Sequence, residues 1–167
     1  MRFIVSGDMG RNRLLQVIIL IYTLYVSGLW VTNTLLYFHK MSLSYGSVVA
    51  YYLGSEESFL SPRSYQGLLE VSHFHLFAMG MLLLVLTHLI LFIPVSARTK
   101  AWLIAVPFFS ALLDEGAGWA VRFLHPLFAY AKICGFLALQ ASLAGLIGVA
   151  VWAAFFGSTE TYRGEDE

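Results

Sequence analysis

The sequence predicts an all-α integral membrane protein, a single transmembrane domain built as a four-helix up-down-up-down bundle. Three observations lead there. Of the 167 residues, 59% are hydrophobic and only 12% charged, where a soluble domain carries about 25% charge. Four apolar runs are each long enough to cross a bilayer, which takes about 20 helical residues. Two of the three connections between them are short, which favours antiparallel neighbours.

The elements follow in chain order. A polar head holds Arg2, Arg11 and Arg13. It shows no small-residue cleavage pattern, so the first span, about 14–38, is expected to be an uncleaved anchor. A loop at 41–65, rich in Ser, Gly and Tyr, is the longest connection, and its segment SVVAYYL predicts a short helix at the interface, where tyrosines are favoured. The second span, about 67–93, is stopped by Pro94. A basic turn at 96–100 leads into the third span, about 101–123, and the fourth covers about 127–156. The tail at 157–167 is acidic and reads as disordered. On the fourth span, Ala138, Ala141, Ser142, Gly145 and Gly148 share one broad face, a pattern that predicts close helix packing.

An even number of spans places both termini on one side. Arg2, Arg11, Arg13, Arg98, Lys100 and Arg163 lie on that side, against Lys40, Arg63, Arg122 and Lys132 on the other. The positive-inside bias therefore predicts cytoplasmic termini, as in a bacterial inner membrane, with the 41–65 loop outside. Formal net charge is zero, so no basic field argues for nucleic acid. The single cysteine, Cys134, excludes an internal disulfide, a thiolate zinc site and covalently attached haem.

The second span carries the chemistry. His73, His75 and His88 lie within an otherwise apolar helix, and ionisable groups in a span are costly enough to mark a site. On a helical wheel, Gly80 and Thr87 fall within about 40° of His73, and His88 about 60° away. This stripe is expected to face the bundle interior, with Gly80 leaving room for a flat macrocycle. His75 points about 200° from His73, onto the face of Met79, Leu82 and Leu86. His39 closes the first span and His125 opens the fourth, so four of five histidines gather towards the outer face. His88 stands alone in the inner half.

Neutral imidazole is a common metal ligand, and helix bundles bind cofactors between facing helices. The expected cofactor site is therefore one haem b, or a quinone, near the outer face, held by His73 with His125 or His39 beside Gly80, with His88 as a further contact. In the third span, the adjacent Asp114 and Glu115 are carboxylates at membrane depth. They are expected to serve as a proton relay, as metal ligands or as orienters of an imidazole; the competing reading is a packing ion pair with Arg122 or Lys132.

Three functions follow from this pattern. The first is a small electron-transfer subunit working with partner redox subunits or as a homo-oligomer. The second is a non-haem copper, iron or zinc protein using His39, His73, His75, His125, Asp114 and Glu115. The third is a structural accessory subunit of a larger membrane complex. No nucleophile and base pair sits in an accessible loop, so a hydrolase is not indicated.

Overall fold

The computed structural model describes residues 13–93 and 95–156. Among them are five helices: α1 (Arg13–Lys40), α2 (Tyr45–Leu53), α3 (Tyr65–Ile90), α4 (Ala97–Phe123) and α5 (Phe128–Phe156). The chain folds as an all-α bundle, and α1, α3, α4 and α5 are each long and apolar enough to cross a membrane. The polar head and the acidic tail lie outside the described residues. Below, the loop end is the end of the bundle that carries α2; the terminal end is the other.

Local chemistry explains the helix boundaries. Ser44, Ser64 and Ser96 each accept the amide of the residue three positions on, at 3.1–3.3 Å, satisfying an N-terminal donor left free by the helix. The Ser96 cap draws Arg98 and Lys100 into α4, so the basic segment is its first turn and not a connecting loop. Helix α3 gives way to a turn at Leu91–Ile93, ahead of Pro94; the residue before a proline is disfavoured in helical conformation.

Helices α4 and α5 form the most extensive pair, with α5 also packed along α1 and α4 along α3. One apolar core joins Ile19 and Val26 of α1, Leu83, Leu86 and Ile90 of α3, and Leu139, Leu143 and Leu146 of α5. Polar stitches fix α1 on α5. Gln16 donates to the Ala154 carbonyl at 2.9 Å, Trp30 donates to the Gln140 carbonyl at 3.0 Å, and Thr34 donates to Gln140 Oε1 at 3.0 Å. Rising numbers in α1 meet falling numbers in α5, so this pair runs antiparallel. Outward, α1 shows Leu24 and Tyr25, α3 shows Phe74 and Phe77, and α4 shows Phe109. Exposed apolar faces of this size fit helices bathed in hydrocarbon.

Two expectations are corrected. The small-residue stripe of α5 does not pack: Ala138, Ala141, Gly145 and Gly148 are exposed, and an added Cβ at Gly145 or Gly148 would meet nothing within 4 Å. Leucines at 139, 143 and 146 take the core face, where they pack with Ile19 and Val26 of α1 and Leu83 and Leu86 of α3. The glycine that α5 does use is Gly135, whose Cβ would lie 2.8 Å from the Asp114 backbone nitrogen. The short helix α2 is also more than an interface float. It packs on α4 and α5 with Val48 and Tyr52 buried, next to Tyr37, Val121, Ala129 and Phe136.

Candidate functional site

The segment 54–64 and helix α2 roof the loop end. Gly54 turns the chain at φ 86, and a Cβ there would come 2.6 Å from the Leu60 carbonyl oxygen and 2.9 Å from Pro62. Only glycine fits that conformation and that gap. Beyond it, the Arg63 amide donates to the Tyr52 carbonyl at 3.0 Å, and the Arg63 guanidinium lies 4.0 Å from the Tyr51 ring centroid. Arg122 Nε, on α4, donates to the Arg63 carbonyl at 2.7 Å. The roof is thus bolted to both α2 and α4.

Under the roof lies a cavity of about 620 Å³. Leu36 and Tyr37 of α1 form one side, Leu68, Val71 and His75 of α3 the other, and Asp114, Glu115 and Lys132 the floor. The sides mix apolar residues with Asn33, Lys40, Arg63 and Glu70, and the floor is charged. Helices α1 and α3 flank the cavity without an extensive packing interface of their own; Leu36 and Val71 at its edge are exposed.

Two polar assemblies make the floor. Lys132 Nζ lies 2.8 Å from Asp114 Oδ1 and donates to the Asp114 carbonyl at 3.0 Å. Asp114 is 6% exposed and Lys132 8%. Charges that deep persist only when paired. Asp114 lies nine residues before the end of α4 and Lys132 four after the start of α5. Their axial positions therefore differ by about 7 Å, which the long lysine stem spans. Next to the pair, Ser72 donates to Glu115 Oε1, and Trp119 Nε1 donates to Ser72 Oγ at 2.7 Å. The indole thus fixes the hydroxyl and the hydroxyl fixes the carboxylate.

Tyrosines complete the lining. Tyr52 lies over Gly118 so closely that a Cβ there would come 2.6 Å from the phenol oxygen. Burial pushes the Tyr52 phenol up from its ordinary value, so it stays a neutral donor at physiological pH. Tyr37 stacks on Phe136 with ring centroids 3.7 Å apart. Among the described residues, its buried hydroxyl has no hydrogen-bond partner.

The predicted site residues divide sharply. His75, Asp114 and Glu115 line the cavity. His73 does not: it is exposed, as are Phe77 and Leu84 of its stripe, with Phe77 at 73%. The His73 end of the stripe expected to face the bundle faces away from it, and of the stripe's polar residues Thr87 is the buried one. The inward face of α3 is that of His75, with Met79, Leu83 and Leu86 buried. Met79, Leu83 and Leu86 pack in the core cluster while Phe74, Phe77 and Leu84 face outward, so close packing and not apolarity chooses the inward side. Gly80 has open space beyond its Cα, and His88 is exposed. His39 is exposed in the last turn of α1. His125 is exposed in the α4–α5 turn, where its Nδ1 accepts the Leu127 amide at 3.1 Å. Among the described residues, no three His, Cys, Asp or Glu side chains come together in a way that would hold a metal ion. Tyr37, Tyr52 and Ser72 were not singled out from the sequence. Their only signal is polarity at helix positions one or two turns below a loop.

Residues 42–161 match the family model Aq_1264_TM, described as a transmembrane helical domain. The chain belongs to that family. It is a multi-pass membrane protein whose apolar helices contact the lipid bilayer. The match includes α2, the roof, the floor and α3 to α5. No curated protein and no solved structure matches the chain.

Proposed function

We propose that this protein is a membrane electron-transfer subunit that takes a quinone-class ligand from the bilayer into the cavity at the loop end. The observation that carries the reading is the cavity itself. Its volume of about 620 Å³ falls in the range of small-molecule sites, about 300–1,000 Å³. The apolar part of its lining, Leu36, Leu68, Val71 and Phe136, suits a ring and an isoprenoid stem, and its tyrosines, lysine and carboxylates suit polar oxygens. The sparse contact between α1 and α3 provides a way in from the lipid. Glu115, His75 and the Asp114–Lys132 pair are groups able to hold or pass protons, which quinone reduction and oxidation require.

The test is titration of the protein in nanodiscs with decylubiquinone, followed by tryptophan fluorescence. Trp119, tied through Ser72 to the cavity-lining Glu115, is the built-in reporter. Saturable quenching that disappears in Trp119→Phe is expected. Quenching that rises linearly with quinone, without saturation, overturns the reading and favours a scaffold role.

A haem reading has its own observation. His73 and His88 are both exposed on α3, about 22 Å apart along the axis. A haem on that face would be held by His73 or His88, with a further ligand supplied by another chain, either a redox partner or a second copy. Split α and β absorption bands in the purified complex, lost on His73→Ala, are the expected signature. The same bands in His73→Ala and His88→Ala protein would remove this face from consideration.

A further inference from the structure

The cavity has one feature that packing does not explain. Tyr37 is 6% exposed and lines the cavity, yet its hydroxyl has no hydrogen-bond partner among the described residues. A buried hydroxyl left unpaired is destabilising, and native structures rarely tolerate it without a reason. Its ring is already held by stacking on Phe136 at 3.7 Å, so phenylalanine would serve packing equally well.

Lys132 lines the same cavity and has a matching excess. An ammonium carries three N–H donors. One is donated to the Asp114 carbonyl at 3.0 Å, and the ammonium lies 2.8 Å from Asp114 Oδ1 as an ion pair. At least one N–H is left uncommitted among the described contacts. Phe136 is one helical turn from Lys132 on α5. Because Tyr37 stacks on Phe136, the phenol and the ammonium border the same part of the cavity. The site therefore holds two donors, and no acceptor oxygen is in hydrogen-bond contact with the phenol among the described residues, although Asp114 Oδ1 beside the ammonium is also without a hydrogen-bond partner.

We infer that Tyr37 Oη and Lys132 Nζ together bind one acceptor oxygen of a lipophilic ligand, with Asp114 holding the ammonium in place. This deepens the reading of the cavity as a quinone site and rests on it. The acceptor is a carbonyl-type oxygen, supplied either by a quinone ring or by the ester of a phospholipid. Tyr37 lies one turn from the loop end of α1, the depth at which an amphiphile places its oxygens.

The experiment compares wild type with Tyr37→Phe in nanodiscs, using decylubiquinone in one arm and retention of phospholipid after detergent extraction in the other. Removing the hydroxyl deletes an unpaired group from the empty protein. The ligand-free melting temperature should therefore hold or rise. The same change should weaken quinone binding about three- to tenfold, the effect of losing one hydrogen bond. Opposite signs on stability and affinity are the mark of a ligand-facing donor; a structural hydroxyl would lower the melting temperature. Wild type that binds quinone as tightly as Tyr37→Phe overturns this inference and leaves the quinone reading standing. Phospholipid retention lost in Tyr37→Phe, with no quinone bound by either form, supports the two-donor site and overturns the quinone as its occupant. Binding of neither probe by wild type overturns both.

Discussion

At the residue scale, the Asp114–Lys132 pair decides most about the loop half of the bundle. Each partner is more than nine-tenths buried, so each depends on the other to remain charged. Removing one strands the other, a change that costs about 3–5 kcal/mol for a buried pair. Lys132→Met alone should therefore lower thermal stability sharply, measured on purified protein in one fixed detergent. The double variant Asp114→Asn/Lys132→Met should recover much of that loss, because it leaves no uncompensated charge. A double variant as unstable as the single would mean that the pair is not the source of the loss. Glu115 is held differently, through Ser72 and Trp119. Its partners are neutral, so it is the acid of the floor without a dedicated cation among the described residues.

At the element scale, the α4–α5 pair is the frame on which the cavity floor is built. Its closest approach is Gly135, where a Cβ would sit 2.8 Å and 2.9 Å from Asp114 backbone atoms. Backbone cannot step aside as a side chain can. Gly135→Ala should push the helices apart and cost about 1–3 kcal/mol, the usual range for overpacking. It should also loosen the Asp114–Lys132 contact. Gly145→Ala, with nothing within 4 Å of the added Cβ, should be neutral or slightly stabilising, since alanine is the better helix former. Comparing the two melting temperatures checks the claim. Equal losses would mean that small residues on α5 act through some other surface. Helix α2 is the second element that matters. Tyr52 and Val48 lock it into the bundle, so it works as a roof beam over the cavity.

At the scale of the whole molecule, the charge bias and the helix arrangement combine into a topology. The positive-inside bias predicts termini in the cytoplasm and the α2 roof with its cavity on the far side. In a Cys134→Ala background, a cysteine at Ser58 should label from outside intact cells with an impermeant maleimide. One at Ser158 should label only after permeabilisation. The reverse pattern would invert the protein and turn the cavity to the cytoplasm.

The sequence by itself determined the class of molecule, the number of spans and where they begin and end to within a few residues. Apolar length and charge deficit are one-dimensional properties, and a bilayer converts them directly into helices. It also marked Asp114, Glu115 and His75, since a polar group within an apolar run is visible without coordinates. Which side of each helix faces inward was decided by the tertiary structure. In water, the hydrophobic pattern reveals the buried face; in a membrane both faces are apolar, so periodicity loses its meaning. That is why the His73 stripe read as the interior face, while His73 and His88 turned out exposed and only Thr87 buried. The small-residue face of α5 was misread for the same reason. Only packing shows that Lys132 reaches Asp114 rather than some other group, and that Tyr37 ends in a cavity with nothing to bind. Both facts depend on helices brought together across about 20 to 100 residues of chain, a separation at which no local rule specifies a contact.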